Sequence, residues 1–176
     1  MLVLGLDPGT ATTGFGVVNY SQGRARALRY GVIRTSPELP MHLRLLQIQR
    51  EVEALLMELQ PDAVAIEQIF YHRNAKTVIT VAQARGVLIV TAAANGVPLF
   101  EYTPLQVKQS VCGYGRADKQ QIQIMVQKLL NLTELPRPDD AADALAIAVC
   151  HLHSYKINSM LKEEVGDAGV SKRSSI

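Results

Sequence analysis

Five acidic residues in this 176-residue sequence carry its strongest chemical signal. Asp7 closes the apolar run Leu2–Leu6, and Glu67 closes Ala63–Ile66. A carboxylate at the end of an apolar strand is costly to bury unless it is paired or holds a metal. Asp-Pro-Gly is also a turn signal in its own right, so Asp7 has an ordinary explanation; Glu67 has no comparable one. The segment RPDDAADALAIA adds Asp139, Asp140 and Asp143. Residues three or four apart share a helix face, so Asp143 can stand beside Asp139 or Asp140. Acids in a first helical turn suit the helix dipole, which accounts for Asp139 but poorly for Asp143. Ala141, Ala142 and Ala144 surround Asp143, as though this helix must approach something closely. Gathered in one pocket, such acids repel by about 4 kcal/mol per close pair at an effective dielectric of ~20. A divalent cation relieves that repulsion. Oxygen ligands select hard ions, Mg²⁺ or Mn²⁺, and carboxylate sites holding two of them support in-line phosphoryl transfer.

The elements that must position these acids are legible from periodicity. Val3–Leu6, Phe15–Tyr20 and Ala27–Ile33 are strand-like, and Ser21-Gln22-Gly23 forms a turn between the last two. Links this short predict antiparallel pairing. Leu45, Ile48, Val52, Leu55, Leu56 and Leu59 then recur at steps of three and four, an amphipathic helix ending before Pro61. Ala63–Ile66 is a strand, and a helix runs from about Asn74 to Ala94, stopped by Asn95-Gly96. Pro98–Tyr102 is a fifth strand. Asp118 caps a helix with Gln121 placed to complete a capping box, and Ile122, Met125, Val126 and Leu129 form its stripe. Pro138 opens the last helix, through Ala148 toward His151. The order β-β-β-α-β-α-β-α-α predicts an α/β fold, a mixed five-stranded sheet with helices on both faces. Ligands of such sheets sit beyond the carboxyl ends of the parallel strands, so neighbouring strands would bring Asp7 and Glu67 into one cleft. From Tyr155 onward the chain is polar and rich in small residues (Gly166, Gly169, Ser171, Ser174, Ser175) and is expected to be disordered. The expected organisation is one domain over residues 1–154 and a tail over 155–176.

Composition narrows the class. The length fits one domain, and 48% hydrophobic residues suffice for a core without staples. No apolar run approaches the ~18 residues of a membrane span. Cys112 and Cys150 form no CxxC or Cys/His cluster and are read as free thiols, with a cytoplasmic location expected. The net charge of +2 identifies no partner, but its distribution says more. Arg73, Lys76, Arg85, Lys108, Arg116, Lys119 and Lys128 stand against only Glu101 and Asp118 between His72 and Lys128. That surplus is either a solvated basic face or a surface for a phosphate backbone.

Five blocks in order from residue 2 to about 153 carry a family resemblance: LGLDPGTATTGFGVV, AIEQIFYHRNAKT, AQARGVL, FEYTPLQVKQSVCGYGRADKQQIQIMV and PDDAADALAIAVCH. Together they resemble the RuvC crossover junction endodeoxyribonucleases. The resemblance implies a ribonuclease H-like fold and a homodimer. It implies metal-dependent resolution of four-way (Holliday) junction DNA by paired symmetric nicks, in homologous recombination and DNA repair. Products would carry 5′-phosphate and 3′-hydroxyl ends, and a branch-migration complex of RuvA and RuvB type would be a partner. The family's first acid falls on Asp7 and its second, in Ile-Glu-Gln, on Glu67. Its Asp-Ala-Ala-Asp-Ala motif selects Asp140 and Asp143 over Asp139; some members have His where this chain keeps Asp140. Asp7 would be the ligand shared by two Mg²⁺ ions, with Glu67, Asp140 and Asp143 completing the sites and Mn²⁺ a substitute. The family's junction-contacting aromatic corresponds to Phe70 and its basic residues to Lys108 and Lys119; Arg73, Lys76 and Arg116 are further candidate DNA contacts. Ala82 departs from the family's Gly ahead of Gln-Ala-Arg-Gly. GLDPGTATTG also resembles the phosphate loop of actin-like ATPases and sugar kinases, but those need a second domain and a second Asp-x-Gly loop. A junction-binding module without catalysis would have no use for four acids that oppose phosphate.

Overall fold

The computed structural model describes residues 1–69 and 75–170, the side chains of 75–77 and 156–170 excepted. In chain order the elements are β1 (Leu2–Asp7), β2 (Thr12–Ser21), β3 (Arg24–Arg34), α1 (Met41–Leu59), β4 (Ala63–Glu67), α2 (Ala75–Ala94), β5 (Leu99–Tyr102), α3 (Pro104–Cys112), α4 (Lys119–Leu129) and α5 (Asp139–Val170). The first three strands pair antiparallel. Gln22 and Gly23 both take positive φ between β2 and β3, the backbone that a tight hairpin turn requires. β4 pairs parallel with β1, and β5 parallel with β4, giving the order β3-β2-β1-β4-β5. The expected mixed five-stranded sheet is therefore what forms.

Side chains alternate across a strand, and this alternation divides the core in two. Leu4 and Leu6 of β1 pack with Val64 and Ile66 of β4 against Ile48, Val52 and Leu56 of α1 and Ala84, Leu88 and Ala92 of α2. Val3 and Ala65 point the other way, into a cluster with α3, α4 and α5. Both faces are thus covered by helices, and β1, in the centre, is buried from Val3 to Leu6. Of the stripe expected of α1, Ile48, Val52, Leu55 and Leu56 are buried, and Leu45 and Leu59 pack partly buried against the same core.

Two differences from the sequence expectation concern helices. α3 was not predicted, although Thr103-Pro104-Leu105-Gln106 supplies a complete capping box with Pro in the first turn, and Gly113 closes the helix in the left-handed conformation. Nine residues give too short an apolar period to stand out, so only the caps announce it. α5 was expected to end near His151, yet its backbone stays helical to Val170. Met160, Leu161, Lys162, Glu163 and Glu164 are good helix formers, and no proline interrupts them. Residues 171–176 lie outside the described residues. No described helix is long and apolar enough to cross a membrane. Both cysteines are free, Cys150 buried and Cys112 only partly so.

Candidate active site

Asp7 and Glu67 occupy equivalent places on adjacent strands. Leu6 is in register with Ile66, so each acid follows a paired residue at the carboxyl end of β1 and β4. Strand alternation directs Asp7 to the same face as Val3 and Gly5, and Glu67 to the face of Ala65. That is the face on which α5 lies.

Glycine and alanine set how closely α5 can lie. Gly5 is paired with Gly16, and Asp7 with Gly14. A methyl group on Gly5 would collide with the Ala144 carbonyl and stand 2.9 Å from the Ala148 nitrogen. One on Gly16 would stand 2.7 Å from the Leu145 nitrogen, and one on Gly14 would collide with the Asp140 carbonyl. On the helix, Ala141, Ala144 and Ala148 are fully buried. The α5 backbone therefore rests directly on the backbones of β1 and β2. This contact delivers Asp140 to the residue opposite Asp7 and carries Asp143 with it, one turn along. The glycines at 5, 14 and 16 were not singled out in the sequence; their alternate spacing in two paired strands was the available signal.

The electrostatics record the crowding. Burial, and then the charges of Asp143, Glu67 and Asp140, push the Asp7 carboxyl from 3.8 up to about 8. Burial and Asp143 push Glu67 from 4.5 up to about 7, against the pull of Lys108 and Lys119. Asp143 is raised by burial, while Lys119, whose Nζ lies 3.7 Å from its Oδ2, draws it back. Lys108 on α3 and Lys119 at the start of α4 are the cations acting on these acids. Asp139 is turned differently: it accepts from Gln123 Nε2 at 2.7 Å and lies 3.9 Å from Lys119. Asp140 is among the charges acting on Asp7, whereas Asp139 faces α4 and acts on Asp143.

An all-oxygen donor set in which Asp7, Glu67 and Asp143 are all pushed toward the protonated form fits a hard divalent cation, whose charge would favour the ionised form of each. Among the described residues, no three His, Cys, Asp or Glu side chains are already drawn together as a metal cage. Repulsion between bare carboxylates and the Asp143–Lys119 ion pair both work against such convergence.

The other predicted site residues are more scattered. Arg116 is exposed in the link between α3 and α4, three residues before Lys119 in sequence. Phe70 and Arg73 lie outside the described residues, as does the Lys76 side chain, although its backbone belongs to α2.

Comparison with known proteins gives this arrangement its context. The profile of the family described as crossover junction endodeoxyribonuclease RuvC matches residues 3–151. The crossover junction endodeoxyribonuclease RuvC of Syntrophomonas wolfei is 64% identical over 169 residues, covering 96% of this chain and 98% of its own. That of Desulfitobacterium hafniense is 55% identical, over 89% of this chain and 95% of its own. Among solved structures, T. thermophilus RuvC in complex with Holliday junction substrate superposes with a TM-score of 0.85 at 40% identity, over 90% of this chain and 96% of that one. With a profile spanning most of the sequence and relatives of this identity covering nearly all of it, the chain belongs to the RuvC family of crossover junction endodeoxyribonucleases.

Proposed function

We propose that this protein is a divalent-metal-dependent, structure-selective endonuclease that resolves four-way DNA junctions by paired nicks, with Asp7, Glu67, Asp140 and Asp143 as its catalytic carboxylates. The observation that carries the proposal is the gathering of these acids beside two lysines at the carboxyl end of the sheet, where Asp143 raises both Asp7 and Glu67, and Asp140 raises Asp7 and Asp143. The resemblance to a RuvC described in complex with a Holliday junction substrate supports the choice of DNA.

Asp7, at the end of the central strand β1, would hold Mg²⁺ together with Glu67, Asp140 and Asp143, two ions to the site. When bound, those ions supply the positive charge that activates water and stabilises an in-line phosphoryl transfer. The protein's part is to hold the ligands. β1 and β4 fix two through sheet pairing, and α5 fixes two through its contact with Gly5, Gly14 and Gly16. Lys108 and Lys119 offset the cluster's charge and would meet the phosphate backbone, with Arg116, Arg73 and Lys76 as further candidate contacts from the sequence. Phe70, immediately beyond the Glu67 strand, is placed in sequence to stack into an opened junction centre.

A junction has two equivalent strands to cut, and one chain carries one acidic cluster, so a C₂ homodimer is the matching assembly. α2 is the interface element. It buries Ala84, Leu88 and Ala92 against the sheet, while Ile79 and Val90 are 61% and 67% exposed with Ala82, Gln83 and Gly86 between them. An outward apolar helix face of this kind calls for a partner surface. Cytoplasmic action beside a RuvA/RuvB-type complex completes the reading.

The test is incubation with a synthetic four-way junction and Mg²⁺, each strand end-labelled in turn. Symmetric nicks in two opposed strands, with 5′-phosphate ends and no comparable cutting of linear duplex, are expected. Equal cutting of duplex and junction would overturn the proposal.

A further inference from the structure

By sequence, Arg85 is only one more positive charge between His72 and Lys128. In the structure it is the link between three elements. From α2, its Nε donates to the main-chain carbonyl of Glu67 at 3.3 Å, and its Nη2 donates to Glu101 Oε2 on β5 at 2.5 Å. Glu67 is the last residue of β4, and beyond it the Gln68 nitrogen donates to the Tyr102 carbonyl at 2.8 Å. The Glu67 backbone is thus held where the parallel ladder runs out. One planar guanidinium reaches both strands at once, a geometry that lysine's single ammonium does not reproduce.

We propose that Arg85 is a positioning residue for Glu67, tying the end of β4 to α2 so that the helix offered to a second copy and the catalytic acid move as one unit. The inference rests on the assignment of Glu67 and α2 above and adds the connection between them. Arg85 does not act on the Glu67 carboxylate through charge. Its own charge is matched by Glu101, and the cations acting on that carboxylate are Lys108 and Lys119. It acts on the main chain, and so on where the carboxylate points. A merely structural ion pair at this exposure (20% for Arg85, 38% for Glu101) would contribute little and would affect binding and chemistry alike. Gly86, the next residue, faces outward on the same side as Ile79 and Val90, so a partner seated on that face would bear on the turn of helix that carries Arg85.

The experiment compares wild type, Arg85→Gln, Arg85→Lys, Glu101→Gln and Asp7→Asn as full-length protein. The single-turnover nicking rate is measured at saturating enzyme with Mg²⁺. Junction affinity in Ca²⁺, melting temperature and solution mass are measured beside it. Arg85→Gln is expected to lower the nicking rate about tenfold or more, the range in which misplaced catalytic groups act. Junction affinity should stay within about twofold, with the dimer mass intact. Arg85→Lys, able to reach one partner at a time, should recover part of the rate. If Arg85→Gln melts below the assay temperature, Glu101→Gln decides by the same split between rate and affinity, since it loosens Arg85 without removing it. An unchanged rate, or a rate and an affinity that fall together, overturns the inference. Failure of the functional reading looks different: wild type would not nick the junction, or Asp7→Asn would nick it as well as wild type.

Discussion

Removing the charge of Asp7 should make the metal-free protein more stable while abolishing its activity. The carboxyl is held near 8 against an ordinary 3.8 by burial and by its acidic neighbours. At about 1.4 kcal/mol per pKa unit, keeping it ionised costs the metal-free fold up to about 6 kcal/mol. The remaining acids still repel one another once Asp7 is neutral, and they share the same protons, so the net gain from Asp7→Asn is about 2–4 kcal/mol. For a chain of this length that is about 5–15 °C in melting temperature. The sign with pH follows from the raised value. No cost is felt below about pH 4, where the carboxyl is protonated in both folded and unfolded chains, and stability is lost as pH rises from there through about 8. The gap between variant and wild type, measured by thermal melts in EDTA, should therefore widen from about pH 5 to about pH 8. Adding Mg²⁺ should reverse the order, because wild type gains by mass action and the variant has lost its shared ligand. Junction nicking by the variant should fall by about 10²–10⁴, the equivalent of several kcal/mol of lost transition-state stabilisation. If the metal-free variant melts within about a degree of wild type across that pH range, the acids are not repelling one another, and the site as described is wrong.

Three further outcomes are expected. Gly14→Ala drives a methyl group into the Asp140 carbonyl, so α5 must lift; a loss of about 1–3 kcal/mol in urea melts should accompany slower nicking. Val90→Glu, at a 67% exposed position, should change monomer stability by no more than about 0.5 kcal/mol yet halve the mass seen by light scattering and replace paired nicks by single ones. Lys108→Ala should weaken junction binding and reduce the slope of log affinity against log salt by about 0.9, one phosphate contact, as read by fluorescence anisotropy.

The acids and the strands that end on them were legible because burial of a charge is costly in any fold: Asp7 and Glu67 stood out beside apolar runs before any contact was known. Local signals of the same kind carried α4, whose capping box at Asp118 and Gln121 forms as predicted. They would have carried α3 too, had Thr103 and Gln106 been weighed as a cap despite the missing stripe. The end of α5 was placed too early, near His151, because polarity bears on burial and says little about whether a backbone stays helical. What no local pattern could supply is the distance of approach. Asp140 and Asp143 reach the strand-end acids because glycines from two strands and alanines from one helix, 125 and more residues away in sequence, remove the side chains between three backbones. The turn of Asp139 toward Gln123 and Lys119, and the reach of Arg85 across two strands, have the same origin. Residue type and spacing determine what chemistry a side chain can do. Which side chains share a space is a property of packing between distant segments, and only the folded chain decides it.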